Sequence, residues 1–284
     1  MLITTAEMVN AARDRGAGVA AFNVITLEHA EAIAEAAEST GLPAIVQISQ
    51  NAARFHGGPL AIAAACAAVA RASSAPLSLH LDHVEDLELL HLVPDCQASS
   101  VMFDASKLEY EANVAATRSA VTWAHARGLW VEAELGEIGG KDGAHAPGVR
   151  TDPAEAAMFA EATGVDALAV AVGSSHAMRQ RGAVLDMERI ALLRAAVRQP
   201  LVLHGSSGVD NAQLTEAIRH GMVKVNVGTL LNIAYTEALR PVLSDEAVVD
   251  PRIYLAPARA AIARAVAECQ RAVSGPPPAM PTAS

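Results

Sequence analysis

The sequence is poor in several residue types on which whole classes of protein depend. Aromatic residues make up only 3% of its 284 positions, although 52% of the chain is hydrophobic. Alanine and valine supply most of that hydrophobic fraction, which favours a large core of small, closely packed side chains. A chain of this length and composition can form one large α/β domain or two smaller ones.

Cysteine is also scarce, and its placement excludes two kinds of cross-linked protein. The three cysteines are Cys66, Cys96 and Cys269, an odd number at wide spacing and without a C-x-x-C pair. They therefore form neither a disulfide framework nor a thiolate zinc site. We expect a reduced, cytoplasmic protein in which each cysteine is a small buried residue.

Long apolar runs and positive charge are lacking too. The longest apolar stretch, residues 60–70, is shorter than the about 20 residues that a membrane-spanning helix needs. No basic head followed by an apolar run begins the chain, so no secretory signal is expected. With 21 basic and 31 acidic residues the net charge is −10. Such a chain has no positive electrostatic field to attract nucleic acid or an anionic membrane surface.

What the chain does contain is a regular alternation of short β-rich runs with longer segments of helical period. The predicted strands are residues 19–23, 44–48, 77–81, 100–103, 129–134, 167–172, 201–204 and 222–226. The predicted helices between and after them are residues 27–39, 60–72, 85–92, 111–127, 153–163, 187–197, 211–220 and 230–243. Eight such units predict a closed (β/α)₈ barrel, the TIM barrel. A doubly wound sheet would need a G-x-G-x-x-G turn after its first strand, and none follows residue 23.

Three segments fall outside this repeat. Residues 136–151 form a long Gly-rich loop after the fifth strand, which we expect to be functional. Residues 251–273 predict an additional C-terminal helix that begins with a proline. Residues 274–284 contain four prolines and are expected to be a disordered tail. One barrel domain over residues 1–273 accounts for the rest.

Polar residues collect at the predicted C-terminal ends of the strands, where barrel enzymes carry their catalytic groups. Among them are His83, His176 and His204, from the third, sixth and seventh strands. Three imidazoles with one open position form a common catalytic zinc site, although any one of them alone could simply bond a nearby carbonyl. His80 is expected in the barrel core. The other histidines are expected on solvated helices or loops: His29, His56, His91, His125, His145 and His220.

Two further features adjoin these histidines. Asp82 directly precedes His83, so its carboxylate would lie beside a metal bound there and could act as a general acid/base. An N-cap for the helix that follows is an equally good explanation of this aspartate. Glycine-rich turns, residues 205–208 (GSSG) and 227–229 (VGT), follow strands seven and eight. Backbone N–H groups in such turns form the usual phosphate site of this barrel, although a tight turn alone would explain them. Lys224 shares the barrel interior with Glu132 and Glu134, and a structural ion pair is its expected role.

The polar strand ends belong to six short segments that are distinctive in combination. They are AFN at 21–23, LHLDH at 79–83, VMFDAS at 101–106, VEAELG at 131–136 with Gly139-Gly140, LHGSSG at 203–208 and KVNV at 224–227. In this order they resemble the class II, metal-dependent ketose-bisphosphate aldolases, which include fructose-1,6-bisphosphate and tagatose-1,6-bisphosphate aldolases. The resemblance extends from Thr4 to Val273.

The resemblance implies a role for each of these strand ends. It implies zinc on His83, His176 and His204, with Asp82 as the proton-transfer residue. Asp104 and Glu134 would support the metal from behind its ligands or from an alternate position. The phosphate of dihydroxyacetone phosphate would be held by Gly205, Ser207, Asn226 and Thr229, while Ser206, Val227 and Gly228 complete the two predicted phosphate turns.

The resemblance also reaches beyond the metal and the first phosphate. Asn23 and Ser49 would orient substrate oxygens, and Arg259 matches an arginine that reaches the distal phosphate across a dimer contact. A homodimer or homotetramer is therefore expected, with a monovalent cation possible near the phosphate. Two positions depart from the family pattern. Ala177 replaces a glycine and can donate its N–H to phosphate only with a negative φ. Asp142 stands in the loop where the family has a catalytic glutamate of longer reach.

The shortage of lysine supports metal chemistry independently. Retro-aldol cleavage leaves a carbanion that either a Schiff-base lysine or a metal must stabilise. The chain has three lysines: Lys107 and Lys141 fall in loops, and Lys224 is the structural candidate.

The leading hypothesis is a zinc-dependent aldolase that reversibly cleaves a ketose 1-phosphate or 1,6-bisphosphate, foremost fructose 1,6-bisphosphate, to dihydroxyacetone phosphate and an aldehyde. One alternative is a sister aldolase for tagatose 1,6-bisphosphate or another modified ketose phosphate. A metal-dependent barrel hydrolase would not need the phosphate turns. A non-catalytic phosphosugar sensor would not need the three histidines and Asp82.

Overall fold

The structure, a computed structural model, describes residues 1–135, 150–174 and 180–275. Within these residues, eight parallel strands close into a barrel in chain order, with β8 pairing back onto β1. The strands are β1 Val19–Asn23, β2 Ala44–Ser49, β3 Leu77–Val84, β4 Ser100–Phe103, β5 Trp130–Glu134, β6 Ala167–Ala169, β7 Leu201–Leu203 and β8 Met222–Val227. The predicted (β/α)₈ barrel is confirmed.

Helices surround the barrel and alternate with its strands. They are α1 Thr5–Asp14, α2 Leu27–Thr40, α3 Gln50–Phe55, α4 Leu60–Ala72, α5 Leu87–His91, α6 Tyr110–His125, α7 Pro153–Thr163, α8 Met187–Ala196, α9 Asn211–His220, α10 Thr229–Leu243 and α11 Pro251–Val273. The additional C-terminal helix predicted from its initial proline is α11, and it packs on α2, α9 and α10. Among the described residues, none of these helices is both long and apolar enough to cross a membrane.

Two short helices were not predicted, and both begin at a capping side chain. Helix α1 starts with a capping box, in which Thr4 accepts from the backbone of Glu7 and the Glu7 carboxylate accepts from the backbone of Thr4. Helix α3 is capped by Ser49, the residue before it, whose hydroxyl accepts from Ala52 N–H at 3.2 Å. The second cap places Ser49 at the rim of the barrel.

The interior of the barrel is divided into an apolar floor and a polar upper half. Met8, Val9 and Ala12 of α1 close the floor against the inward side chains of Val19 and Ile45. Above the floor, the fully or almost fully buried polar side chains are Gln47, His80, Asp82, Glu132, Glu134, His204, Lys224 and Asn226. An eight-stranded barrel is just wide enough for its own side chains, so these polar groups must satisfy one another.

Several smaller expectations can be compared with this structure. The three cysteines are buried, as predicted. His80 is a core histidine, 0% exposed, whose Nδ1 lies 2.8 Å from Ser100 Oγ. The prediction for His29 is wrong: it is 2% exposed, because Tyr235 of α10 stacks on its ring at a centroid distance of 5.2 Å. Most of the Gly-rich loop and residues 276–284 of the tail lie outside the described residues.

Candidate active site

A cavity of about 370 Å³ opens at the C-terminal ends of the strands. Its wall brings together nine of the residues predicted from sequence, which come from five different strand ends: Asn23, Ser49, Asp82, His83, Gly205, Ser207, Asn226, Gly228 and Thr229. The residues on this wall that were not predicted as site residues include Gln47, Asn51, Phe55 and Asn232. The polar strand ends thus converge on one concave site, as the barrel fold requires.

Two of the three predicted metal-binding histidines meet beside this cavity. The rings of His83 and His204 lie edge to face with centroids 4.9 Å apart. Ligand atoms of Asp82, His83 and His204 all lie within 4.8 Å of one another, and the same holds for His83, Asp104 and Glu134. Imidazole nitrogens and carboxylate oxygens are the ligands that zinc and related divalent metals accept. The third histidine, His176, lies outside the described residues.

Carboxylates orient both imidazoles. Asp104 Oδ2 lies 2.8 Å from Nδ1 of His83, and its other oxygen accepts from Ser106 N–H and Oγ. Nε2 of His204 lies 2.8 Å from Glu132 Oε1, while its Nδ1 faces Glu134 Oε2 at 3.0 Å. A carboxylate that accepts from Nδ1 of His83 fixes its tautomer and leaves Nε2 for a metal. At His204 both ring nitrogens face carboxylates, so a metal at Nδ1 would lie between this ring and Glu134.

Lys224 completes the support behind His204. Its Nζ donates to Glu132 Oε2 at 2.8 Å and to Asn226 Oδ1 at 2.7 Å, and the Lys224 and Glu132 side chains are fully buried. The predicted structural ion pair is confirmed. Glu132 therefore links a lysine of β8 to a histidine that follows β7.

The electrostatics of the cluster favour positive charge at both imidazoles. Burial lowers the pKa of His83, but Asp82 and Asp104 outweigh it and raise that pKa to about 10. Burial likewise lowers the pKa of His204, while Glu132 and Glu134 raise it to about 9. Burial also works against ionisation of Glu132, but Lys224 and His204 hold the pKa of that carboxyl well below its usual range. The donor set thus fits a divalent cation by chemistry and by charge.

Asp82 lies at the cavity wall with its carboxylate held from two sides. It is 2% exposed, and it accepts from Gln47 Nε2 at 3.0 Å and from Asn226 Nδ2 at 3.4 Å. Gln47 Nε2 also donates to Asn23 Oδ1 at 2.6 Å. The alternative role as a helix cap is excluded, because Asp86 caps α5 by accepting from Glu88 N–H at 2.8 Å.

The two glycine-rich turns pack against each other at the start of α10. Gly205 has φ +65° and leads into a single 3₁₀ turn, Ser206–Gly208. Ser206 Oγ donates to the carbonyl of Asn226, and Ser207 Oγ accepts from Leu230 N–H at 3.1 Å. The N-terminal end of α10 therefore lies beside the cavity at Gly228 and Thr229, where its positive partial charge would complement an anion.

Some predicted residues are placed away from the cavity wall. The side chains of Ser206 and Val227 are 3% and 1% exposed and belong to the packing beneath the turns. Arg259 lies on the outer side of α11, where its Nη1 is 2.9 Å from Glu31 Oε2 and its Nε is 3.9 Å from Glu35 Oε2. It is not among the residues that line the cavity. Asp142 and Ala177 lie outside the described residues.

Sequence reasoning assigned no task to Gln47, and it expected Glu132 only as an ion-pair partner of Lys224, not as a hydrogen-bond partner of His204. A polar residue at an inward position of an otherwise apolar strand was the available signal for Gln47. Asn232 and Phe55 had no comparable signal, because a polar or aromatic residue on an outer helix is ordinary.

Comparison with known proteins decides which family uses this geometry. The family model described as fructose-bisphosphate aldolase class-II matches residues 3–275. The chain belongs to the class II fructose-bisphosphate aldolase family. A fructose-bisphosphate aldolase of Staphylococcus aureus (strain Mu50 / ATCC 700699) is 38% identical over 270 residues, covering 93% of this chain and 94% of that protein.

Solved structures agree with the family assignment. The YdjI aldolase from Escherichia coli K12 superposes with a TM-score of 0.86 at 30% identity, covering 97% of this aldolase and 98% of that chain. A fructose-bisphosphate aldolase from Campylobacter jejuni shares the fold with a TM-score of 0.80 at 22% identity, covering 96% and 95% of the two chains. The protein is therefore a class II ketose-bisphosphate aldolase, a family that implies a divalent metal. This assignment favours an aldolase over the hydrolase and the phosphosugar sensor.

Proposed function

We propose that this aldolase reversibly cleaves a ketose 1-phosphate or 1,6-bisphosphate, foremost fructose 1,6-bisphosphate, to dihydroxyacetone phosphate and an aldehyde. The observation that carries the proposal is the single cavity that joins Asp82 and His83 to both glycine-rich turns. The metal cluster would act on the carbonyl end of the substrate while the turns hold its phosphate. A hydrolase would need the metal cluster but not the two glycine-rich turns.

The metal of the proposal is zinc, held by His83 and His204 together with His176. When bound, it would polarise the ketose carbonyl and stabilise the negative charge that C–C cleavage leaves on the dihydroxyacetone phosphate half. Glu132 and Asp104 hold the two described imidazoles in orientation through hydrogen bonds of 2.8 Å. Glu134 lies close enough to both rings to act as an alternate ligand.

Asp82 is the proposed proton carrier. Retro-aldol cleavage requires removal of the proton from the hydroxyl oxygen on the carbon that becomes the aldehyde, so that this C–O bond becomes C=O as the C–C bond breaks, and a carboxylate at the cavity wall can accept that proton. Gln47 and Asn226 donate to its two oxygens, so the carboxylate has a fixed direction. Asn23 and Ser49, on the same wall, are proposed to orient the substrate's oxygens.

The phosphate of the dihydroxyacetone half is assigned to the turns around Gly205, Ser207 and Thr229. The N-terminal end of α10 supplies positive partial charge there, and the described residues of the cavity wall include no lysine or arginine. Ser207 Oγ accepts from Leu230 N–H, which leaves its own hydroxyl proton free to donate to a phosphate oxygen. A monovalent cation beside the phosphate belongs to the same proposal.

The distal phosphate is assigned to Arg259 from a second copy of the chain in a homodimer or homotetramer. Within its own chain this side chain is 45% exposed and pairs with Glu31, so a partner subunit would have to bring it to a cavity. Arg259→Ala should raise KM for a 1,6-bisphosphate and leave KM for the matching 1-phosphate unchanged. Equal changes in both values would contradict this role.

The decisive experiment measures cleavage of fructose 1,6-bisphosphate, tagatose 1,6-bisphosphate and fructose 1-phosphate with and without a chelator. Activity should disappear on chelation and return with zinc. Activity that survives chelation, or is lost on borohydride treatment with substrate, would overturn the zinc mechanism in favour of a Schiff base.

A matched pair of variants tests Asp82 in the same assay. Asp82→Asn should lower kcat by about 10²–10⁴-fold, the usual contribution of a positioned acid/base group. Asp86→Asn makes the same chemical change four residues later at a side chain that caps α5, and asparagine is an equally good cap. Its activity should match the wild type. Equal activity of both variants would remove Asp82 from the mechanism.

A further inference from the structure

The turn that carries His83 has an unusual backbone. His83 has φ +49°, a left-handed conformation that non-glycine residues avoid because Cβ crowds the following carbonyl oxygen. At the same place the pairing of β3 with β4 shifts register between Leu81 and Val84. Such a bulge re-aims one side chain, and here it leaves the His83 imidazole beside Asp82 and His204. A backbone of this kind persists only where its surroundings hold it.

The side chain that holds this turn from the neighbouring strand is Gln50. It is the first residue of α3, directly after the cavity residue Ser49, and it is 4% exposed. Its Oε1 accepts from Glu85 N–H at 3.0 Å and from Asp86 N–H at 3.1 Å. One amide oxygen thus joins the two consecutive peptide groups that follow Val84 to the end of β2.

The turn has other contacts of different kinds. Asp104 bonds the imidazole of His83 and, through its own N–H, the carbonyl of Val84 at 2.9 Å. Lys107 pairs with the Glu85 side chain at 2.6 Å, but these groups are 69% and 38% exposed, and exposed pairs constrain little. Gln50 thus adds a buried side-chain tie to the backbone on the far side of His83, where Asp104 contributes a backbone one.

We propose that Gln50 is a positioning residue that presets the His83 turn for metal binding. By fixing Glu85 N–H and Asp86 N–H, it holds His83 in its left-handed conformation before a metal arrives, so that binding does not have to order the turn. The proposal rests on the metal site of the proposed function. It assigns Gln50 no contact with metal or substrate.

The test measures zinc affinity of the full-length chain by competition with a chromogenic chelator. Gln50→Met keeps the length of the side chain and removes the acceptor, and it should weaken zinc binding by about 10–100-fold, as the loss of a ligand-orienting partner does. Gln50→Glu keeps an acceptor oxygen and should bind zinc like the wild type. Lys107→Met removes the exposed tie to the same turn and should also match the wild type.

A second background separates positioning from general damage to the fold. In a His83→Ala chain, Gln50→Met should cause no further loss of zinc affinity, because the turn no longer presents a ligand. A further loss of the same size as in the wild-type background would show a merely structural effect and overturn the proposal. Should Gln50→Met fail to fold, Gln50→Asn, too short to reach both N–H groups, takes its place with the same expectations.

The outcomes distinguish this inference from the proposal beneath it. If the wild-type chain binds no zinc, both fail. If the wild type binds zinc and Gln50→Met binds it equally well, the metal site stands and only the role of Gln50 is refuted.

Discussion

Replacement of Lys224 by methionine should destabilise the barrel substantially, because it leaves the Glu132 carboxylate buried without its cationic partner. Both side chains are fully buried, and Nζ lies 2.8 Å from Glu132 Oε2. Breaking a buried ion pair by removing one partner costs about 3–5 kcal/mol. We expect the lower end, about 3 kcal/mol, because His204 Nε2 still contacts the other Glu132 oxygen at 2.8 Å.

The structure also predicts how a second substitution changes this loss. Glu132→Gln alone leaves Lys224 as the uncompensated buried charge. In the double variant neither charge is present, so its loss should be smaller than the sum of the two single losses by about 0.5–3 kcal/mol, the range for coupled contacts.

Urea unfolding followed by circular dichroism, with chelator present, measures these free energies. Lys107→Met is the matched control, because Lys107 pairs with Glu85 at 2.6 Å on the surface and such pairs contribute at most about 1 kcal/mol. Equal losses for Lys224→Met and Lys107→Met, or strictly additive losses at Lys224 and Glu132, would refute the reasoning that this pair stabilises the barrel interior.

Two further predictions concern His29 and Gly228. Burial lowers the pKa of His29 to about 4, so the folded chain takes up this proton less readily than the unfolded chain, and stability falls as the pH drops from 6.5 towards 4. Between pH 7 and pH 5 the wild type should lose about 2 kcal/mol more than His29→Gln in urea unfolding, and parallel losses would contradict this. At Gly228, an added Cβ would lie 3.3 Å from the Asn23 amide. Gly228→Ala should therefore raise KM for the ketose phosphate at an unchanged melting temperature; an unchanged KM would argue against Asn23 as a substrate contact.

Prediction from sequence succeeded best where local signals and the barrel repeat agreed. The bounds of β1, α4, α7, α9 and α11 match the predicted ones. Helices α1 and α3 were missed because α1 precedes the βα repeat and α3 interrupts it, although Thr4 with Glu7 and Ser49 were capping signals for them. The sequence pattern ended β3 at residue 81, and only the pairing with β4 shows that it continues through the bulge to Val84.

Contacts between distant segments account for the wrong and missing assignments. His29 has the sequence context of a surface helix, and it is buried because Tyr235, which arrives with α10, covers it. Gln50 looks like any polar residue at the start of a helix, and its two acceptor contacts depend on the turn after β3. The periodicity of a single segment cannot show either contact, because each joins residues from two different segments.

By itself, the sequence determined the barrel, the rim that carries the site and the chemical types assembled there. It could do so because the periods of strands and helices are local patterns in the sequence. The position of the site at the strand ends is a general rule for barrel enzymes. The tertiary structure decided the partner of each group. Glu132 lies between His204 and Lys224, which are 72 and 92 residues away from it in the chain. Hydrogen bonds of 2.8 Å between such positions exist only once barrel closure has set the register of the strands.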